Sequence, residues 1–70
     1  MDMYTVRILS VDSEVLGSTE APNEPLAWRE YESMEKFATE SYRQAPMLGA
    51  LHVQLITPEG VVLSESRIGS

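Results

Sequence analysis

The stretch Leu26-Ala-Trp-Arg-Glu-Tyr-Glu-Ser-Met-Glu-Lys-Phe-Ala-Thr-Glu-Ser-Tyr-Arg-Gln-Ala-Pro46 decides the fold, because its two halves carry different periodicities. In the second half, Met34, Phe37, Ala38, Tyr42 and Ala45 recur at helical spacing, and Glu35, Lys36, Thr39, Glu40 and Arg43 take the opposite side. Ser33 is placed to cap this helix, and Pro46 ends it at residue 44 or 45. Glu32 and Lys36 stand at i,i+4, and Glu32 and Glu35 suit the positive end of the helix dipole. In the first half, Leu26–Tyr31 reads as a strand that follows Pro25. The competing reading is a helix that starts at Pro25, since proline fits a first helical turn.

Downstream, Leu51, Val53 and Leu55 alternate with His52 and Gln54, the period of a strand. Thr57-Pro58-Glu59-Gly60 has proline second and glycine fourth, which predicts a type I turn with a bulge at Gly60 leading into a strand over 61–66. Upstream, Tyr4, Val6 and Ile8 alternate with Thr5 and Arg7, making residues 3–11 a strand. Residues 12–25 contain Gly17, Pro22, Asn23 and Pro25 and read mainly as loop, with Glu14-Val15-Leu16 a brief strand extension; residues 67–70 read as a frayed tail. The expectation is one α+β domain over 1–70, in the order β-β-α-β-β: a mostly antiparallel four-stranded sheet with one helix packed on one face. Its expected core is Tyr4, Val6, Ile8, Met34, Phe37, Ala38, Tyr42, Leu51, Val53, Leu55, Val61 and Leu63.

Composition narrows the chemistry. The 70 residues are 43% hydrophobic and 23% charged, ordinary globular values for a chain able to enclose one small core. Without cysteine there is no disulfide scaffold, thiolate zinc site or cysteine nucleophile, and His52 alone makes no multi-histidine metal site. No apolar run reaches the roughly 18 residues that span a bilayer. Met1-Asp-Met-Tyr4 lacks a basic signal region, so a cytoplasmic location is expected. The glycines Gly17, Gly49, Gly60 and Gly69 form no phosphate loop. His52, beside Gln54 on a strand, reads as a solvated sheet residue with no nucleophile motif; an enzymatic reading would need it in a pocket with a carboxylate partner. The pairs Glu30/Glu32 and Glu32/Glu35 lack the sheltering cleft that acid/base catalysis requires, and Asp12-Ser-Glu-Val-Leu-Gly17 lacks the later bidentate Glu of a calcium loop. No catalytic residue, cofactor or metal is expected. Tyr4, Trp28 and Tyr31 have too few cations around them to stack single-stranded nucleic acid.

The net charge of −6 is unevenly placed. Residues 1–11 and 41–70 are each neutral. Asp12, Glu14, Glu20, Glu24, Glu30, Glu32, Glu35 and Glu40 stand against only Arg29 and Lys36. Such carboxylates keep a small protein soluble. Gathered on one face, they would also complement a basic partner and stand where nucleic-acid phosphates stand. Glu20, Glu24, Glu30, Glu32, Glu35 and Glu40, with Trp28 and Tyr31 as aromatic anchors, are the expected partner-binding residues. The expected partner is a basic protein or nucleoprotein complex, not nucleic acid or membrane directly. The alternative is a structural subunit or homodimer that uses the uncovered sheet face, where Leu9, Ile56 and Val62 would be partly exposed.

The run Trp28-Arg-Glu-Tyr-Glu-Ser-Met-Glu-Lys-Phe-Ala38, followed by Leu51-His-Val-Gln-Leu-Ile-Thr-Pro-Glu-Gly-Val-Val-Leu63, resembles the strand, Ser-capped helix and hairpin layout of very small phage-encoded proteins, some anti-CRISPR proteins among them. The resemblance covers about half the chain and carries over no functional residue. It implies a non-enzymatic inhibitor that binds a host nucleoprotein complex and blocks its nucleic-acid site.

Overall fold

A computed structural model describes residues 2–69. The chain is a small α+β domain in the order β-β-α-β-β. Strands β1 (Tyr4–Leu9), β2 (Val15–Ala21), β3 (Leu51–Ile56) and β4 (Val62–Ile68) form one antiparallel sheet in the spatial order β2-β1-β3-β4. Helix α1 (Glu24–Gln44) lies across one face, and a short 3-10 turn (Pro46–Leu48) links it to β3.

The second strand and the helix start differ from the sequence expectation. Residues 15–21, expected within a loop, are β2, while Leu26–Tyr31, expected as a strand, is helical. Asn23 is the N-cap rather than Ser33: its backbone is extended, its side-chain Oδ1 accepts the Leu26 N–H at 3.0 Å and its carbonyl accepts the Ala27 N–H at 3.0 Å, with Pro25 in the first turn. Ala27 and Tyr31 sit one turn apart and continue the stripe of Ala38 back to the N-terminus, so burial against the sheet favours helix throughout. Gly17 and Ser18 have little intrinsic strand preference; with Thr19 they are held by register with Ile8, Arg7 and Val6 of β1. The C-terminal limit agrees with expectation, with the Ala45 N–H donating to the Ser41 carbonyl just before Pro46. The tail is also more ordered than expected, since Arg67 and Ile68 pair with His52 and Leu51. Ser70, the end of that expected tail, lies outside the described residues.

Val6, Ile8, Leu51, Val53 and Leu55 of the sheet, with Ala21, Ala27, Tyr31 and Ala38, make the core. Leu55, Val6 and Val53 are its largest fully buried side chains, each contributing about 1.5–3 kcal/mol. Tyr4, Met34 and Tyr42 pack at its margin, as does Ile68. Three expected core residues lie outside it. Phe37 is 62% exposed because it falls at the edge of the helical stripe, toward β2. Val61 belongs to the turn, and Leu63 sits at the β4 register shift while Ser64, Ser66 and Ile68 turn inward. The hairpin matches its signal: Gly60 has φ 91°, donates to the Thr57 carbonyl at 2.9 Å, and Thr57 donates to Val61 at 2.8 Å.

Candidate functional site

A helix advances 100° per residue, so its carboxylates separate into stripes. Glu24, Trp28, Glu32 and Glu35 follow one another on the flank above β4. Trp28 Nε1 donates to Glu24 Oε2 at 3.1 Å, and its ring meets that of Tyr31 edge-on, with centroids 5.4 Å apart. Trp28 remains 36% exposed, whereas Tyr31 is only 4% exposed and therefore supports Trp28 from beneath. Glu35 is tied to β4. The Ser66 hydroxyl spends its one proton on Glu35 Oε2, so Tyr31 must donate to Ser66, at 2.5 Å, while Ser64 donates to Tyr31 at 3.3 Å. This directed chain, Ser64 to Tyr31 to Ser66 to Glu35, anchors the flank to the sheet.

The other expected contact residues lie elsewhere. Glu30 is on the opposite flank, beside Thr19, Ser33, Met34 and Phe37. Glu40 pairs with Arg43 at 3.2 Å. Glu20 alternates with the inward-facing Thr19 and Ala21, so it projects from the uncovered side of the sheet. Arg29, Lys36 and Arg43, at i, i+7 and i+14, run along the helix crest as a cationic ridge between the two flanks. The eight residues thus do not form one face; the structure brings Glu24, Trp28, Glu32 and Glu35 together. Among the described residues Arg43 pairs with Glu40 and His52 lies beside Glu65; Glu24, Glu32 and Glu35 form no ion pair, and Lys36 lines a shallow hollow next to Glu32 and Glu35.

The uncovered sheet face carries a polar ladder. Arg7 Nε donates to Gln54 Oε1 at 2.8 Å, Gln54 Nε2 donates to Glu65 Oε2 at 3.1 Å, and His52 Nδ1 lies 3.7 Å from the same carboxylate. His52 therefore has a carboxylate partner but lines none of the main cavities. Leu9, expected to be partly exposed on this face, is 7% exposed, set between Val15 and His52 in register. Val62 is 46% exposed. Trp28 and Tyr31 lie on α1 and pair with each other, while Tyr4 of β1 packs at the core margin, so the three are not gathered on the sheet surface.

Sequence reasoning missed a second surface. Between β2 and α1 runs an apolar groove of about 270 Å³, bordered by Leu16, Gly17, Met34, Phe37 and Leu48. Its signal was the apolar pair Leu16 and Leu48, which the expected core left out. Among the described residues no group of three or more His, Cys, Asp or Glu is arranged to hold a metal, and no helix is long and apolar enough to cross a membrane. No family model, curated protein or solved structure matches the chain.

Proposed function

We propose that the chain is a non-catalytic protein-binding module that docks on a basic surface of its partner through the Glu24, Trp28, Glu32 and Glu35 flank. The observation that carries this reading is the alignment of three carboxylates that form no ion pair among the described residues around a tryptophan that is 36% exposed, on a helix side fixed to β4 by the Tyr31–Ser66–Glu35 chain. A carboxylate row that forms no ion pair gains most from cations supplied in trans, and a supported aromatic ring provides the desolvated centre that protein interfaces use. In the inhibitory form of this reading, suggested by the phage-protein resemblance, the row takes the place of phosphates on the nucleic-acid-binding surface of a host complex.

Affinity capture with mass spectrometry tests it. The immobilised protein should recover a basic protein, recovery should fall as salt rises, and the charge reversals Glu24→Lys, Glu32→Lys and Glu35→Lys together should abolish it. Competition by nucleic acid for the recovered partner would mark the inhibitory form. Recovery unchanged by the three reversals would refute the acidic-flank mechanism.

A further inference from the structure

The sheet ends on one side at β2, whose outer edge has no strand beside it in the order β2-β1-β3-β4. Natural edges are commonly blunted by charges, prolines or covering segments. In β2, Val15-Leu-Gly-Ser-Thr-Glu-Ala21, the single charge is Glu20, and it points to the uncovered face. The other edge, β4, carries both Glu65 and Arg67.

The groove under α1, lined by Leu51 of β3, Ile8 of β1 and Leu16 and Gly17 of β2, reaches this same edge. Gly17 faces inward, in register with Ile8, whose Cγ2 would stand 3.3 Å from a Cβ there, and it lines the groove with Leu16 and Phe37. Leu16, Phe37 and Leu48, which line the groove, are 54%, 62% and 71% exposed. Two residues further along β2, Thr19 borders a second hollow with Glu30, the only charged side chain lining either hollow. Inward-facing side chains of a strand are two residues apart, about 6.8 Å, which matches the step from Gly17 to Thr19.

We propose that the β2 edge accepts an extended segment of a partner protein as a fifth strand, with an apolar side chain in the groove between Leu16 and Phe37 and a Lys or Arg two residues away on Glu30. Backbone hydrogen bonds to a free edge supply affinity, and the pockets for alternate side chains supply sequence preference. Charge selects this occupant over a second copy of the chain. A copy pairing through its own β2 would bring a second net charge of −6 and further carboxylates toward Glu30, whereas a basic segment neutralises it. The inference extends the reading of the chain as a binder of basic proteins, but it uses the opposite flank of the helix.

The probe is a library of capped nonapeptides with threonine at odd positions and Val, Leu, Phe, Lys or Arg at even positions, selected on the immobilised protein. Selected peptides should carry an apolar residue and a Lys or Arg two positions apart, and should slow amide exchange along β2. Affinity should fall about tenfold or more with Gly17→Val, which narrows the groove and presses on Ile8, and with Glu30→Lys. Phe37→Ser, at an exposed position, is the check that does not disturb the strand and should weaken binding similarly. The triple variant Glu24→Gln, Glu32→Gln, Glu35→Gln should bind the peptides as the parent does, which separates this surface from the acidic flank. No enrichment over a blank surface, binding indifferent to all three groove substitutions, or concentration-dependent dimerisation lost with Gly17→Val would overturn the proposal.

Discussion

Gly69 occupies a place that no other residue fits. Its φ is 95°, and a Cβ there would fall 2.7 Å from Cζ of Tyr42, inside the ring's contact distance. Gly60 has a similar φ of 91° but nothing within 4 Å of a Cβ. The pair separates two costs. Gly60→Ala should lose about 1 kcal/mol through backbone strain alone. Gly69→Ala should lose roughly 2–3 kcal/mol, because Tyr42 must also give way at the core margin. For a domain of this size, thermal unfolding should then show Gly69→Ala melting some 4–8 °C below Gly60→Ala, at about one additional kcal/mol. Equal midpoints would mean that the chain end does not pack on Tyr42.

Among the elements, the hairpin and the helix C-terminus were legible in sequence because their signals are local. Pro58 and Gly60 define a turn within four residues, and Pro46 stops a helix by itself. Residues 12–31 were not legible. Leu26-Ala-Trp-Arg-Glu-Tyr31 mimics strand alternation, and only the stripe Ala27, Tyr31, Ala38, read with Asn23 as cap, shows that it is helical. β2 lacks a local signal because its pairing partner, β1, specifies it. The same shift rearranged the candidate site. Once 24–31 is helical, Tyr31 rotates into the core, Trp28 joins Glu32 and Glu35, and Glu30 passes to the other flank. A direct check is Ala27→Leu. Ala27 is fully buried against the sheet. Overpacking there should cost about 1–3 kcal/mol in chemical denaturation, whereas at an exposed position the larger side chain would be close to neutral.

At the scale of the whole molecule, the distribution of charge matters more than its sum. Asp12 and Glu14 lie where β1 turns into β2, Glu20 is under the sheet, and the helix separates its own carboxylates with a cationic crest. The acidic reading therefore contracts from a broad face to one flank, and an apolar edge groove takes its place on the other. Binding by that flank depends on its meeting cations. The direct measurement is a two-dimensional NMR titration of the protein with a capped Ser-Arg repeat peptide, which offers positive charge and no apolar side chain. Shift changes should concentrate on the Trp28 indole and the amides of Glu24, Glu32 and Glu35, fade as salt rises, and vanish in the Glu24→Gln, Glu32→Gln, Glu35→Gln variant. Shifts spread evenly over every carboxylate, or persisting at the Trp28 indole in that variant, would contradict it.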